Sequence, residues 1–345
     1  MIKNLYYYFL IIYILMCRRG VAGARHRVAS TYARKKMDLA LITAKQVFEL
    51  FLMVLAGVVL FKLKVVSGEN KAVLTSLLIK LVIPCLIVNS FMGSSSEDGE
   101  IQLGTAFVFS IVLCALGVGV SILTSFIVKK NFRAVFRFGC GFSNAAYMGF
   151  PLIRAMFGHT GIIYASAYVT VFNIMLWTVG YTFFAEASSP KDLLKSIVKC
   201  PPIVAVFVGI ILYVFKISLP QVIVEPVGQV GAMTTPLAMI VTGITIAETN
   251  ILASLKSKEV WFGTAVRLVL IPLLCTLVFA VLKMKSQTSL ICLILEACPV
   301  AAITPILAVT YGKDEKYASA LVVVSTVLSI VTLPLYVLLL QMLGF

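Results

Sequence analysis

The sequence is poor in charged residues. Aspartate, glutamate, lysine and arginine make up 12% of its 345 residues, whereas apolar residues make up 61%, and the mean hydropathy is +1.04. Soluble domains carry about 25% charged residues, because water must solvate their surface. The composition therefore excludes a soluble globular protein and indicates that a lipid bilayer surrounds most of the chain.

The sequence also lacks the residue clusters that bind metals or perform catalysis. Its histidines are His26 and His159, and its eight cysteines are scattered without a C-x-x-C pair. Metal centres, disulfide frameworks and nucleophile–base pairs need such residues close together. We predict no metal, no cofactor, no catalytic residue and no enzymatic activity. The net charge of +15 is attributed to membrane orientation and not to a nucleic-acid partner.

Apolar stretches long enough to cross a bilayer recur along the chain. A transmembrane helix needs about 20 mostly apolar residues. The sequence predicts an all-α integral membrane protein with ten transmembrane helices near residues 46–63, 72–91, 103–128, 138–157, 162–185, 201–217, 231–247, 260–282, 289–311 and 318–342.

The basic residues concentrate in every second connection between these predicted helices. Because positive residues collect on the cytoplasmic side, these connections are predicted to be cytoplasmic. Both ends of the ten-helix body are then expected outside a cell membrane that the chain crosses many times. The basic residues concerned are Lys62, Lys64, Lys71, Lys129, Lys130, Arg133, Arg137, Lys191, Lys195, Lys199, Lys256, Lys258, Lys313 and Lys316.

The first 36 residues do not fit this charge pattern. They are rich in basic residues, and their apolar run at 5–17 is shorter than a membrane span. We interpret 1–36 as an N-terminal extension, either a signal-like segment or the product of a start assigned upstream of Met37.

An internal duplication organises the remainder of the chain. Sliding the second half back by about 152 to 154 residues aligns Gly57, Lys64, Pro84, Pro151, Gly158 and 164–167 with Gly209, Lys216, Pro236, Pro305, Gly312 and 317–320. An odd number of helices in each half inverts the second copy in the membrane, which is typical of secondary transporters. We predict a first five-helix repeat over 37–187, a short cytoplasmic linker at 188–200 and a second repeat over 201–345.

The fourth and ninth predicted helices contain prolines at matching positions. Because proline removes a helical hydrogen bond, we expect helix four to break near Gly149 and Pro151 and helix nine to break around Pro299 and Pro305. The half-helix N-termini exposed by such breaks favour an anion such as a carboxylate. The alternative is that the prolines only kink packed helices. The candidate substrate-binding residues are Asn144, Ala145, Tyr147, Gly149, Pro151, Pro299, Thr304 and Pro305.

Other polar residues within the predicted helices are further candidates. Asn89 and Asn173 either line the substrate cavity or form hydrogen bonds between helices. Glu296 and Glu49 are candidates for coupling transport to H⁺ or Na⁺, the alternatives being a structural Glu296 and a Glu49 that faces the headgroups. Arg154 and Arg267 are expected to extend from helix ends toward the membrane surface.

Several motifs resemble the auxin efflux carrier family. The most specific is Asn144-x-x-x-Met148-Gly149-x-Pro151-Leu152, and it is joined by the segments 80–84, 299–308, 311–314 and 329–334. The resemblance implies a ten-helix fold in which helices four and nine cross at their breaks, and a scaffold domain along which a transport domain moves in an elevator-like manner. It also places Asn144, Pro151 and Pro299 around the substrate carboxylate. The central loop at 186–200 is short, and short members of the family resemble permeases for malate or malonate.

We therefore predict a secondary active transporter that moves a small organic anion, a mono- or dicarboxylate such as malate or malonate, by alternating access. The alternatives are an efflux carrier for an auxin-like aromatic carboxylate, an anion channel, and a receptor that has kept the carrier fold. Assembly as a homodimer is a further expectation.

Overall fold

A computed structural model describes residues 44–45, 48–92, 103–184, 201–215, 217, 219–248 and 256–345. The predicted N-terminal extension and the predicted linker at 188–200 lie outside these residues. The helices are α1 (48–62), α2 (Gly68–Leu77), α3 (Ile83–Met92), α4 (Leu103–Thr124), α5 (Arg133–Gly141), α6 (Phe150–Met175), α7 (Tyr181–Phe184), α8 (Pro201–Val214), α9 (Gln221–Ala232), α10 (Thr234–Glu248), α11 (Lys258–Ala265), α12 (Ile271–Val281), α13 (Gln287–Glu296), α14 (Thr304–Thr310) and α15 (Glu315–Met342).

The described part of the chain is helical, and its only β-type pairing is one isolated bridge. Within the described ranges, six continuous helical segments are long and apolar enough to cross a membrane: Lys71–Asn89, Leu103–Ile127, Thr160–Phe184, Gln221–Glu248, Lys258–Val281 and Glu315–Met342. These segments confirm the prediction of an all-α protein with several transmembrane helices. The predicted span at 231–247 is too short, because the helix already begins after Pro220 and packs Gly231 against the backbone of Leu86.

Three prolines within the helical segments follow π-helical turns. The turns Leu78–Val82, Ala145–Gly149 and Val266–Leu270 each end two residues before Pro84, Pro151 or Pro272. A proline ring collides with the carbonyl of the preceding helical turn. A π-turn inserts an extra residue and changes the carbonyl register there. The helical direction therefore continues through these prolines.

The helices form two groups. In the first group, α3 packs against α8 and α9, and α1 packs against α10 through glycines on both helices. In the second group, α4 packs against α5, α6 and α13, while α15 packs against α11 and α14. An ion pair links the groups at one end, where Lys71 of α2 bonds Glu248 of α10 and lies 4.0 Å from Glu315 of α15.

Candidate functional site

In the part of the chain that the structure describes, two interrupted helical segments bond to each other at their interruptions. Residues 142–144 separate α5 from the turn Ala145–Gly149, and residues 297–303 separate α13 from α14. The Asn144 amide donates to the Pro299 carbonyl at 2.7 Å, and the Ala301 amide donates to the Phe142 carbonyl at 3.1 Å. Ser143 and Val300 thus form an antiparallel bridge. Non-helical backbone inside a membrane protein needs such partners, because lipid supplies none.

The first interruption lies before the position predicted for it. The helix ends at Gly141 and not near Gly149, and Pro151 lies in the first turn of α6. The expectation of a break at Gly149–Pro151 is wrong, because the preceding π-turn accommodates the proline. In the other segment Pro299 lies within the interruption and Pro305 lies in the first turn of α14, where a proline costs no hydrogen bond.

A cavity of about 30 Å³ lies beside the paired interruptions. Ile79, Ile83 and Pro202 line it from the first helix group. The second group contributes Ser143, Asn144, Ala146, Tyr147, Phe172, Asn173, Leu176, Trp177, Ala301 and Ile303. The cavity is thus located between the groups and next to the start of both half-helices. Its volume holds about one or two water molecules.

Three of the predicted site residues line this cavity, namely Asn144, Tyr147 and Asn173. Asn144 and Asn173 are both buried, and the Asn173 Nδ2 and Ser143 Oγ have no hydrogen-bond partner within the described structure. Buried polar atoms without partners are costly, so these two atoms are available to a ligand.

The other candidates lie outside the cavity lining. Gly149 packs against the side chains of Leu295 and Cys298, the Thr304 hydroxyl donates to the Ala301 carbonyl at 2.6 Å, and the Asn89 amide lies beside Gly228. Ala145 and Pro305 are buried, Pro151 is half-buried, and the Pro299 carbonyl accepts from Asn144. Glu49 is partly exposed and lies 3.8 Å from Lys45.

Two aromatic residues that line the cavity, Phe172 and Trp177, were not predicted from the sequence. Phe172 and Trp177 lie on one side of the same helix as Asn173. Residues four apart share a helix face. Trp177 could therefore have been predicted to line the cavity from the position of Asn173. Ser143 and Ala301 had no such signal, because they enter the cavity through the non-helical pairing.

A buried ion pair lies next to the paired interruptions. Glu296, at the end of α13, lies 3.0 Å from the Nη1 of Arg267 and accepts a hydrogen bond from the Tyr168 hydroxyl. Both charged side chains are essentially inaccessible to solvent. Arg267 therefore does not extend to the membrane surface as expected; the prediction is wrong because the carboxylate and nearby carbonyls hold the guanidinium in the interior.

Arg267 also bonds the carbonyl ends of both half-helices. Its Nη1 donates to the Cys140 carbonyl at 2.8 Å and its Nε donates to the Cys298 carbonyl at 3.0 Å. The C-terminal end of a helix carries partial negative charge, and the N-terminal end carries partial positive charge. The guanidinium thus offsets the negative ends and the Glu296 carboxylate. The positive ends, after Asn144 and Ile303, lie at the cavity.

The cavity can therefore stabilise negative charge without a basic side chain. Its lining residues include no lysine, arginine or histidine. Helix N-termini and neutral amides bind carboxylates and phosphates through such fixed partial charges. The two positive helix ends lie in one region of the cavity and most of the other lining residues are apolar, so this arrangement suits one negative charge better than two.

Comparison with known proteins agrees with a membrane transporter. The family of membrane transport proteins matches residues 42–195 and 185–337. An uncharacterized transporter of Methanothermobacter thermautotrophicus is 24% identical over 300 residues, covering 85% of this chain and 97% of that protein. One from Methanocaldococcus jannaschii is 23% identical over 317 residues, covering 87% of this chain and 97% of that protein.

The protein is thus an α-helical, multi-pass membrane protein of the transporter class. The chain belongs to the membrane transport protein family, and this confirms the resemblance to the auxin efflux carriers.

Proposed function

We propose that the protein is a secondary active transporter that holds the carboxylate of a small organic anion at the paired interruptions. The proposal rests on the cavity between the two helix groups, because the N-termini of both half-helices lie next to it. In this proposal α5 together with the first part of α6, up to the kink at Gly158, is the broken fourth of ten transmembrane helices in two inverted repeats. α13–α14 is the broken ninth helix. The two interruptions then cross at the site, in a cell membrane with both ends of the ten-helix body outside.

Alternating access supplies the movement that the cavity needs. A volume of about 30 Å³ is far below the several hundred Å³ of a usual small-molecule site. The first helix group would act as the scaffold, and the second would carry the interruptions. Sliding of one group along the other would widen the cavity on one side of the membrane and then on the other.

The lining of the cavity bears on the substrate. Malate and malonate are dianions at neutral pH, whereas the lining offers one positive region. Phe172, Trp177 and Tyr147 form an aromatic wall that suits the apolar body of a monocarboxylate. An aromatic carboxylate is therefore the second candidate, and malate and malonate are expected to bind through one carboxylate.

The proposal predicts that Asn144→Ala impairs transport. Losing a hydrogen bond to a charged group costs about 1.5–3 kcal/mol, so uptake at low substrate concentration is expected to fall by roughly tenfold or more. The measurement is uptake of radiolabelled malate, malonate and indole-3-acetate into liposomes that contain the full-length protein.

Asn89→Ala is the matched control, because it removes the same amide from a residue that does not line the cavity. It is expected to retain most of the uptake. Equal losses in the two variants would contradict the proposed site. Uptake that rises linearly with substrate concentration, without saturation, would favour the anion channel instead.

Proton or sodium coupling through Glu296 or Glu49 is tested in the same liposomes. The ion pair with Arg267 supports a structural Glu296, since its carboxylate is already neutralised. Coupling through one of these carboxylates would appear as uptake that depends on a proton or sodium gradient in the wild type. In Glu296→Gln or Glu49→Gln, uptake would then continue without this dependence.

A further inference from the structure

Two arginines next to the end of α4 lie close together, and none of the acidic side chains that the structure describes pairs with them. Arg133 and Arg137 are one turn apart on α5, and each guanidinium carbon lies 5.6 Å from the centre of the Phe126 ring. Within the described residues, neither side chain has a carboxylate within 4.0 Å. Like charges four residues apart on a helix repel each other, so this arrangement favours an added anion.

Neighbouring groups increase the positive charge of this surface. Arg133 begins α5, where the helix end itself is partially positive and has no side-chain cap. Lys129 and Lys130 are exposed nearby, and Glu259 lies 3.2 Å from Lys129. The surface thus retains a positive charge at the arginines.

The hydrogen bonds of the two arginines leave donors available. Arg133 donates from Nε to the Val128 carbonyl at 3.1 Å and from Nη2 to the Phe126 carbonyl at 3.3 Å. Arg137 donates from Nε to the Ser125 hydroxyl at 2.8 Å. A guanidinium has five N–H donors, so both side chains are fixed in position and can still bind phosphate oxygens.

Apolar side chains of a membrane-spanning helix adjoin the arginines. Phe126 is 60% exposed and Ile127 is 75% exposed, and both belong to the apolar segment Leu103–Ile127. This segment ends where the basic residues begin, so the surface lies where lipid headgroups meet the hydrocarbon region. An anionic phospholipid combines the two features required here, a phosphate and an acyl chain.

We propose that Phe126, Ile127, Arg133 and Arg137 form a binding site for the phosphate headgroup of an anionic phospholipid. The two guanidinium groups bind the phosphate oxygens, and the first part of an acyl chain packs on Phe126 and Ile127. Juxtamembrane clusters of basic residues attract anionic lipid headgroups in this way. The site is separate from the cavity and does not depend on which anion the protein transports.

The test measures lipid binding to the full-length protein in detergent by native mass spectrometry, with a thermal unfolding scan in parallel. Phosphatidylglycerol is compared with phosphatidylcholine and with inorganic phosphate. The wild type is expected to retain phosphatidylglycerol and to be stabilised by it. The double variant Arg133→Gln/Arg137→Gln is expected to need roughly tenfold more of this lipid for the same occupancy.

Lys62→Gln/Lys64→Gln is the control, because it removes two exposed charges at the end of α1 and in the turn after it, and it should bind phosphatidylglycerol as the wild type does. Ile127→Glu is a second variant that keeps both arginines and places an acid at an exposed position; it is also expected to weaken binding. The proposal is overturned if the double arginine variant and Ile127→Glu both bind phosphatidylglycerol as the wild type does. It is also overturned if phosphatidylcholine binds the wild type equally well, or if inorganic phosphate alone gives the full stabilisation.

Discussion

Glu296→Gln is expected to lower the free energy of unfolding by about 3–5 kcal/mol. Glutamine keeps the shape of the side chain and can still bond the Tyr168 hydroxyl, but it leaves the Arg267 guanidinium buried without a counter-charge. A guanidinium stays protonated in proteins, so it cannot become neutral. The measurement is the free energy of unfolding from titration of the purified protein with a denaturing detergent.

The double variant Glu296→Gln/Arg267→Gln distinguishes a stranded charge from a simple loss of contacts. It removes both charges, so it is expected to recover at least half of the stability that Glu296→Gln loses, although the bonds from Arg267 to the carbonyls of Cys140 and Cys298 are weakened. Glu315→Gln is the surface control, with an expected change below about 1 kcal/mol. A single variant as stable as the wild type, or a double variant less stable than the single one, would contradict this account of the pair.

The helices were predictable where apolar length alone determines them. The predicted spans at 103–128 and 318–342 correspond to Leu103–Ile127 and Glu315–Met342, because an uninterrupted apolar run has one stable form in lipid. Apolar length alone did not predict that α9 starts at Gln221, because Glu225 and Pro226 make its first turns less typical of a membrane helix. Its packing on α3 is tertiary information that no sequence window contains.

The candidate site was predictable in position but not in detail. Proline composition indicated which two segments are interrupted, and Asn144 and Tyr147 do line the cavity. The interruption itself begins at Phe142, because a π-turn accommodates Pro151 and pairing with Pro299 and Ala301 stabilises the extended residues. This pairing joins residues more than 150 positions apart, so local patterns do not reveal it.

Arg267 shows how a pairing rule could have corrected an interpretation. In its predicted helix, apolar residues lie before and after Arg267 in the sequence. Its partner Glu296 is 29 residues away. Charged residues inside a membrane protein usually pair with one another. Considering Arg267 and Glu296 together, each well inside a predicted span, would have favoured this ion pair over a side chain that reaches the membrane surface.

Gly243→Ala is expected to be among the most damaging small substitutions, lowering the free energy of unfolding by about 3 kcal/mol. A Cβ atom at Gly243 would lie 2.0 Å from the Val54 carbonyl oxygen and 2.9 Å from the Cα of Gly57. These are backbone atoms of α1, so no side-chain rotation relieves the collision and the two helices must separate. Gly57→Ala should act similarly, because its Cβ would lie 2.2 Å from the Ile240 carbonyl oxygen.

The matched control for Gly243→Ala is Gly119→Ala in α4, where an added Cβ meets no atom within 4 Å. Alanine forms helices more readily than glycine by about 1 kcal/mol, so this variant is expected to be as stable as the wild type or more stable. Detergent titration and thermal unfolding of the three glycine variants check both expectations. Equal stability of Gly243→Ala and Gly119→Ala would contradict the close contact of α1 with α10. It would also contradict the proposal that the first helix group is a rigid scaffold along which the second group slides.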